Sequence, residues 1–440
     1  KTNTYRLPRK YTIDTNKGQY LESFLSNNHD AKRDYFYNFG YERFGPVLYG
    51  FIKWMYEDLK KEGIQEVYFM ARDGYIMQKV YRELGYNNDI PDKYFEASRR
   101  SLRVPSYCDD YNLENVIKES PLLSTTNMEQ LLDSLGLEIS DYKEKIEKYG
   151  FTLEEHIKRD ELINNDQFIK FYEEIKQDVI DNSSTEKENL IKYLKQYDFN
   201  KKIAIVDIGW GGSMQKNLIQ TLDNQGISNN ITGYYLGLSK KSKQNLAANG
   251  YKAKGYLFDC LNNDTDKDVV IAFRPLFETL FLEQSGSVKC YETHEDGKTV
   301  AVRYEYEYVK DGELSHEAKK VRNIQSGAVD FARDFKNSKV SMYINSDEEI
   351  LFKYMYETGT NPNMEDVRKF GDFIFFNNGC GNYLAKPQKI RKYVVNPKKC
   401  LSDLSESQWK LGFLKYIIKI PFPYLRLYLK LHRMSNNEED

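Results

Sequence analysis

Two short stretches of this chain place charged side chains directly after an apolar, strand-like run. In the first, Glu66–Ala71 is followed by Arg72–Gly74; in the second, Lys202–Val206 is followed by Asp207–Ser213, which contains three glycines. Glycines let backbone N–H groups approach an anion, a following helix N-terminus adds positive potential, and a carboxylate can bind a metal ion or a sugar hydroxyl. The pattern is typical of a phosphate site, although many parallel α/β folds contain a strand, a glycine turn and a helix without a ligand.

A third candidate strand, Tyr94–Ala97, ends in Ser98–Ser101, which carries two arginines. Ligands of open parallel sheets gather at the carboxyl ends of the strands, so we expect the three strand ends to share one anion site. Guanidinium groups bind phosphate oxygens bidentately, and carboxylates hold Mg²⁺ that bridges those oxygens. The alternative is that the charges of the first stretch pair with each other at the surface and that Arg99 and Arg100 lie in a solvated turn.

An apolar helix predicted within residues 273–287 carries two more acids, Glu278 and Glu283. They lie five residues apart, about 140° around a helix, so they cannot both face one pocket. Large hydrophobic residues surround Glu278, which makes it the better candidate for a base or a metal ligand. A buried ion pair between Glu278 and Arg274, one turn away, is the structural alternative.

The length of 440 residues exceeds what one ordinary core fills, and 40% hydrophobic residues are ample for a packed interior. We predict an α/β fold with two Rossmann-like, parallel-sheet lobes, a helical insertion and a helical C-terminal region. The predicted domains are an N-terminal α/β lobe (1–111), a helical insertion (112–200), a second α/β lobe with the glycine-rich loop (201–290), a hairpin and helical region (291–405) and a basic amphipathic tail (406–440). The insertion would act as a lid or acceptor shelf, or simply as a solvated helical layer.

Local signals place some helix and strand boundaries. Proline suits a first helical turn and glycine a helix end, so a helix should run from Gly45–Pro46 to Gly63. The Ser183–Glu186 stretch has the capping-box pattern and predicts the start of a new helix. The alternating residues Tyr304–Tyr308 predict a half-exposed strand after a hairpin turn.

Composition excludes several classes of function. A formal net charge of −2 gives no reason to expect a nucleic-acid partner. The five cysteines are scattered, with no C-x-x-C pair, and the five histidines form no evident catalytic or metal cluster, so a zinc site or disulfide framework is not expected and a reducing cytoplasm fits best. The chain starts at Lys1 without a signal-like segment, which suggests a trimmed sequence whose natural start is missing.

The segment Trp409–Met434 contains no acid but several lysines and arginines among aromatic and aliphatic residues. No uncharged run approaches the ~20 residues that span a bilayer. We expect this segment to lie on an anionic membrane, which would make the protein cytoplasmic and peripheral at the inner face of the plasma membrane. The alternative is a C-terminal helix packed on the body with its lysines outward.

The motifs Tyr68–Tyr75, Ser98–Ser101 and Val206–Gln215, in this order, resemble the glycan phosphoribosyltransferase domain of bacterial ribofuranosyltransferases. The similarity extends over roughly residues 35 to 290. In that family the domain is commonly joined to a phosphatase of the haloacid dehalogenase type. This sequence has no D-x-D-x-[TV] phosphatase signature, and it has Asp207 alone where nucleotide-salvage phosphoribosyltransferases have two adjacent acids.

The resemblance implies transfer of 5-phosphoribose from phosphoribosyl pyrophosphate to a hydroxyl of a lipid-linked or oligosaccharide acceptor, with release of pyrophosphate. The glycan would be a capsule, an O-antigen or a similar surface polysaccharide, and a separate or removed phosphatase would act next. Asp73, Asp207 and Glu278 are the catalytic candidates, and Asp73 and Asp207 are also expected to hold Mg²⁺. The expected donor-phosphate residues are Arg72, Gly74, Ser98, Arg99, Arg100, Gly209, Trp210, Gly211, Gly212 and Ser213.

Two other functions are also compatible with the sequence. A metal-dependent glycosyltransferase would use a nucleotide sugar in place of phosphoribosyl pyrophosphate. A non-catalytic, membrane-associated assembly protein would bind glycan or partner enzymes and turn over no donor.

Overall fold

The computed structural model describes residues 15–120, 122, 125–153, 155–263, 269–377, 380–419, 423–426 and 428–429. Part of the predicted tail, residues 420–422, 427 and 430–440, therefore lies outside the described residues. The strands are β1 (Glu66–Met70), β2 (Asp92–Phe95), β3 (Thr125–Thr126), β4 (Ile157–Lys158), β5 (Lys202–Trp210), β6 (Asn230–Leu238), β7 (Lys252–Asp259), β8 (Val288–Thr293), β9 (Thr299–Arg303), β10 (Val309–Lys310), β11 (Glu313–Leu314), β12 (Ile374–Asn377) and β13 (Cys380–Tyr383).

The α-helices surround the sheet and form the insertion and the C-terminal region. They are α1 (Thr15–Asn28), α2 (Tyr35–Phe39), α3 (Gly45–Glu62), α4 (Gly74–Glu83), α5 (Arg99–Arg103), α6 (Leu113–Glu119), α7 (Met128–Ser134), α8 (Lys143–Lys148), α9 (Arg159–Leu162), α10 (Asp166–Leu194), α11 (Ser213–Asn224), α12 (Lys241–Asn245), α13 (Arg274–Thr279), α14 (His316–Lys336), α15 (Lys339–Ile344), α16 (Glu348–Thr360), α17 (Met364–Phe370), α18 (Ile390–Val395), α19 (Pro397–Glu406) and α20 (Lys410–Ile418). A π-helical turn, Gly40–Phe44, joins α2 to α3.

One parallel sheet of five strands, in the order β2-β1-β5-β6-β7, forms the centre of the molecule. This confirms the predicted α/β class with a parallel sheet. The strands that the sequence assigned to two lobes pair with each other in this single sheet, since Val67 of β1 lies opposite Ala204 of β5. Residues 1–111 and 201–290 therefore contribute to one sheet, and the helical segment between them is an insertion within it.

The strand order reverses between β1 and β5, which makes this pair the topological switch point of the sheet. The helix after β1, α4, buries Ile76 and Val80 in the hydrophobic cluster on one face. The helix after β5, α11, buries Leu218 and Leu222 in the cluster on the opposite face. Because the two connections leave in opposite directions, a crevice opens above the carboxyl ends of β1 and β5, where ligands of such sheets bind.

The helix predicted from Gly45–Pro46 to Gly63 is confirmed as α3. Pro46 occupies the first turn, where a missing N–H costs nothing, and Gly63 ends the helix in the left-handed region with φ 64°. One side of α3 is buried in the main core. Local sequence signals were sufficient here because both ends of the helix depend on residues within it or next to it.

The helical insertion has a hydrophobic core of its own. Val116, Leu131, Ile146 and Phe171 belong to one cluster that is separate from the clusters on the two sheet faces. The predicted helix start at Ser183 is wrong, because α10 runs without interruption from Asp166 to Leu194. The capping-box pattern does not start a helix here because the side chains of Ser183 and Glu186 are buried.

The polar residues in the middle of α10 have partners from another part of the chain. The Ser183 hydroxyl donates to the carbonyl of Val104 at 2.7 Å and accepts from the N–H of Cys108 at 2.8 Å. Glu186 forms an ion pair with Arg100. These tertiary contacts satisfy the side chains that would otherwise cap a new helix.

Two further boundaries differ from the sequence prediction. The helix predicted within 273–287 ends at Thr279, and the chain then turns to enter the β8–β9 hairpin. Residues 304–308 do not continue as a strand, since β9 ends at Arg303. Beyond it, Tyr304 donates its hydroxyl to Asp133 of α7, and Glu307 accepts from Arg72.

The beginning of the predicted membrane segment packs into the body. Trp409 has no solvent exposure and donates its indole N–H to the carbonyl of Gly359 at 2.9 Å. Leu411 and Phe413 of α20 are also buried in the main core. In the described part of the chain, no helix has the length and apolar character that crossing a membrane requires.

Candidate active site

Three carboxyl groups interact electrostatically at the switch point. Asp73 follows β1, Asp207 lies near the end of β5, and Glu278 lies on α13. The charge of Asp207 raises the pKa of Asp73, and the charge of Asp73 raises the pKa of Glu278. The structure therefore brings together the three acids that the sequence selected as catalytic candidates.

Burial is the main reason that all three carboxyls have raised pKa values. It raises the pKa of Asp73 to about 7, with a further contribution from Asp207. Burial raises the pKa of Asp207 to about 6, although the N–H groups of Ile208 and Gly209 act in the opposite direction. The pKa of Glu278 is raised to about 7, again mainly by burial. Acids that titrate near neutral pH in a crevice are suited to proton transfer.

Trp210 fixes the carboxylate of Glu278. Its indole N–H donates to Glu278 Oε1 at 2.6 Å, and this hydrogen bond opposes the upward shift of the Glu278 pKa. The ring stacks on Phe258 at 5.7 Å, and the guanidinium of Arg274 lies over it at 4.7 Å from the centroid. Arg274, the ion-pair partner considered for Glu278, lies over the indole, and its charge lowers the pKa of Glu278.

Two of the five non-glycine residues with positive φ in the described part of the chain lie at the same two strand ends. Arg72 and Trp210 have φ values of 71° and 72°, which are unfavourable for residues with a Cβ. Such conformations cost about 1–3 kcal/mol each and persist where the surrounding structure enforces them, often at functional sites. Here they turn the chain sharply at the end of β1 and β5.

The predicted glycine-rich loop is shorter than the sequence indicated. Strand β5 continues past Asp207 to Trp210, with Gly209 opposite Gly237 of β6. Gly209 has φ 105°, and a Cβ there would lie 2.7 Å from the carbonyl oxygen of Gly237. Only Gly211 and Gly212 form the turn before α11, whose first turn receives no hydrogen bond from a side chain at the cap position.

Arg72 is held by acidic and hydroxyl partners at the rim. Its guanidinium donates to Glu307 Oε1 and to Ser287 Oγ, both at 2.8 Å. Its backbone N–H donates to the hydroxyl of Tyr94 at 2.8 Å. Asp73 is therefore not its main ion-pair partner, and a ligand that recruited Arg72 would have to compete with Glu307.

The two adjacent arginines of the third motif have different roles. Arg100, predicted as a donor-phosphate ligand, is buried and forms a bidentate pair with Glu186, with both distances 3.0 Å, so a phosphate would have to displace Glu186 to reach it. Arg99 is exposed and forms no hydrogen bond or ion pair within the described residues. Its charge lowers the pKa values of Asp73, Asp207 and Glu278, which places it beside all three.

Other predicted phosphate residues serve the scaffold. Ser98 caps α5, accepting from the N–H of Ser101 at 3.0 Å and donating to the carbonyl of Val288 at 2.7 Å. Gly74 begins α4, and a Cβ there would lie 3.0 Å from the backbone of Phe69. Ser213, at the first position of α11, remains available to a ligand at the turn.

Sequence reasoning missed Lys241. This exposed residue begins α12, just after β6, and its stem passes 3.6 Å from where a Cβ on Gly211 would stand. The rule that ligands gather at strand carboxyl ends would have found it, because β6 is the strand next to β5. Lys241 adds a second cation, besides Arg99, near the glycine turn.

A network behind the site was also missed. Glu283 accepts from the Tyr94 hydroxyl at 2.6 Å and from Arg303 at 2.8 Å, and Arg303 also pairs with Glu96 at 2.8 Å. Glu283 is thus held by structural partners, which agrees with the selection of Glu278 as the candidate base. No local pattern links these residues, which come from three distant parts of the chain.

The expected magnesium ion would be held by Asp73 and Asp207 and would take its other ligands from the substrate. Asp73 and Asp207 provide carboxylate oxygens, the ligands that Mg²⁺ prefers. Among the residues described, no group of three acidic, histidine or cysteine side chains is arranged to hold a metal ion. Two carboxylates plus substrate phosphates is a common way to bind Mg²⁺, so the residues present fit the predicted cofactor.

Comparison with known proteins gives no family for this chain. It matches no protein-family model and no curated protein sequence.

Proposed function

We propose that this chain is a glycosyltransferase that moves 5-phosphoribose from phosphoribosyl pyrophosphate to a hydroxyl of a bacterial surface glycan, releasing pyrophosphate. The observation that carries the proposal is the group of Asp73, Asp207 and Glu278 beside the unpaired Arg99 at the switch point. A polyphosphate leaving group needs cations, an electron-poor ribose needs nearby carboxylates, and an acceptor hydroxyl needs a base.

The proposed reaction breaks the bond between ribose C1 and the pyrophosphate oxygen and forms a bond between C1 and the acceptor oxygen. Pyrophosphate keeps the electron pair of the broken bond, and the acceptor hydroxyl transfers its proton to Glu278. Arg99 and Lys241 stabilise charge on the leaving group. The pKa of Glu278, about 7, leaves a substantial fraction of this base ionised at neutral pH.

Asp73 and Asp207 would hold Mg²⁺, which supplies charge neutralisation on the donor phosphates when bound. Their negative charge would also stabilise the positive charge that develops on the ribose ring. The N–H groups at the start of α11 and the Ser213 hydroxyl offer hydrogen bonds to a phosphate at the glycine turn. The product would carry a 5-phosphate, so a phosphatase would act next.

The test is a pyrophosphate-release assay with phosphoribosyl pyrophosphate, Mg²⁺ and a panel of lipid-linked and synthetic oligosaccharides. Mass spectrometry should show an acceptor that gains one phosphopentose. Asp207→Asn and Glu278→Gln should each lose activity by a factor of about 10² or more with unchanged circular dichroism. Asp160→Asn is the matched control, because that carboxylate is 87% exposed on the insertion and does not belong to the group of Asp73, Asp207 and Glu278.

Three results would overturn the proposal. They are consumption of a nucleotide sugar in place of phosphoribosyl pyrophosphate, turnover of no donor with any acceptor of the panel, and near-normal turnover in both active-site variants.

A further inference from the structure

The α18–α19 hairpin, residues 386–406, exposes large hydrophobic side chains at unusual density. Val395, Val394, Leu401 and Ile390 are 86%, 75%, 67% and 57% exposed. They account for four of the twelve exposed large hydrophobic residues found in the part of the chain that is described. Single exposed hydrophobic residues are normal, but a concentration of them marks an interaction surface.

Positive charge accompanies these side chains. The sequence contains six lysines and arginines and no acid between residues 386 and 402, in a chain whose net charge is −2. Lys389, Arg391, Lys392 and Lys398 are exposed and form no ion pair with any described residue. Arg391, Lys392 and Val395 line a shallow, open hollow, so cation and hydrophobic side chain share one surface.

The hairpin is attached firmly to the body at both ends. Trp409, just after α19, donates its backbone N–H to Leu384, just before α18, at 2.7 Å, and both residues are fully buried. Within the hairpin, the buried Tyr393 donates its hydroxyl to Asp403 at 2.8 Å and accepts from the N–H of Gln388 at 2.7 Å. The hydrophobic side chains are therefore presented by a fixed protrusion.

We propose that the α18–α19 hairpin docks on the headgroup region of an anionic lipid bilayer. Two short helices with exposed aliphatic residues and unpaired cations fit the boundary between anionic headgroups and acyl chains. A protein partner would need matching acids across the cations, whereas an anionic bilayer supplies negative charge at every position. The inference does not depend on the proposed reaction, and it assigns membrane contact to residues that precede the segment predicted from the sequence.

The test is co-sedimentation of the full chain with vesicles of phosphatidylcholine alone or with 30% phosphatidylglycerol, at about 50 and 300 mM salt. We expect binding to the anionic vesicles only, weakened by salt. The double variant Val394→Ser/Val395→Ser and the double variant Lys392→Ala/Lys398→Ala should each lower the partition coefficient about tenfold or more. Met342→Ser is the matched control, since Met342 is 79% exposed on α15, and it should bind as the unaltered protein does.

The remaining outcomes contradict the proposal. Absence of binding to anionic vesicles would overturn it, and so would equal binding by the hairpin variants and the unaltered chain. A further variant, Lys430→Ala/Arg433→Ala, tests the segment predicted from the sequence. If that variant alone loses binding, the membrane contact lies in the tail. If light scattering without lipid shows a dimer that Val394→Ser/Val395→Ser dissociates, the hairpin is covered by a second copy of the chain.

Discussion

At the scale of single residues, Arg99 and Arg100 allow a proposed catalytic charge to be compared with a structural one. Removing Arg99 should lower the turnover of phosphoribosyl pyrophosphate by a factor of about 10²–10³, because an exposed cation beside three carboxyls is lost at the point where leaving-group charge develops. The melting temperature should change little, since the Arg99 side chain forms no hydrogen bond or ion pair with the described residues. Steady-state kinetics and calorimetry of Arg99→Ala measure both quantities.

Arg100→Ala should show the opposite behaviour. It leaves the buried Glu186 carboxylate without its bidentate partner, which we expect to cost about 3–5 kcal/mol in the free energy of unfolding. If Arg100→Ala unfolds like the unaltered chain, or if Arg99→Ala keeps normal turnover, the assignment of the two arginines is wrong.

If Glu278 is the base of the proposed reaction, it sets the pH dependence of the rate. A base must be deprotonated, so the rate should rise with pH through the Glu278 pKa of about 7 and level off above it. Trp210→Phe removes the N–H donor that lowers this pKa, so the rising limb should move to higher pH while the ring and its stacking remain. A pH–rate profile of each protein measures the shift; an unmoved limb would mean that another group is the base.

The same carboxyls should reduce stability at alkaline pH. Asp73 has a folded-state pKa of about 7 and an unfolded value near 4, so the folded state binds more protons between those values. Its contribution to stability is complete below about pH 4 and is lost as the pH rises through 7. Asp73→Asn should therefore be more stable than the unaltered chain at pH 8, by up to about 4 kcal/mol, and gain little at pH 4. Urea unfolding at the two pH values measures the difference.

At the scale of elements, the end of β5 depends on a glycine. Gly209→Ala would force a positive φ on a residue with a Cβ and place that Cβ 2.7 Å from the Gly237 carbonyl oxygen. We expect a loss of more than about 3 kcal/mol in the free energy of unfolding. Gly250→Ala is the control, because Gly250 also has a positive φ, 71°, but has no atom within 4 Å of a Cβ, so it should lose only about 1 kcal/mol. Equal losses would show that backbone conformation alone, and not the close approach of β6, requires the glycine.

The elements also show which parts of the fold a sequence can predict. Helix α3 and strands β1 and β5 were predicted because their signals are local: a proline, a terminal glycine and continuous apolar runs. Strand β7 was not predicted, since its lysines and its glycine interrupt the apolar pattern and its register with β6 shifts between Tyr235 and Gly237. The unbroken α10 could not be predicted either, because the partners of Ser183 and Glu186 lie in residues 100–108.

At the scale of the whole molecule, the position of the site was predictable although its contacts were not. Strand carboxyl ends and their acids can be read from the sequence, and the β2-β1-β5-β6-β7 order brings Asp73 and Asp207 to one crevice. Whether Arg99 or Arg100 faces the crevice depends on Glu186, 86 residues away, and no local pattern carries that information. Trp409 likewise has an aromatic, basic neighbourhood in sequence but a buried position in the fold.

The separate core of the insertion leads to a prediction about how the molecule opens. Its buried residues between Val116 and Val179 form their own cluster, whereas Leu190, Tyr193 and Leu194 at the end of α10 pack in the cluster on one sheet face. Polar contacts also join the insertion to the body: Arg100–Glu186, Tyr304–Asp133, Lys289–Glu138 and Lys216–Glu119. A unit with its own core and polar attachments can unfold or detach as one cooperative unit.

Glu186→Ala should therefore raise amide exchange of residues 112–180 together, because it removes the bidentate carboxylate partner of the buried Arg100 at the attachment point. Exchange in β1, β5 and β6 should remain close to that of the unaltered chain, since these strands pack within the other two clusters. Hydrogen–deuterium exchange with peptide-level mass spectrometry resolves the two regions, and Lys158→Ala, which removes an exposed pair on the insertion surface, is the control. An equal rise in the sheet and the insertion would mean that the chain opens as a single unit, and the insertion could not then move as a lid over an intact sheet.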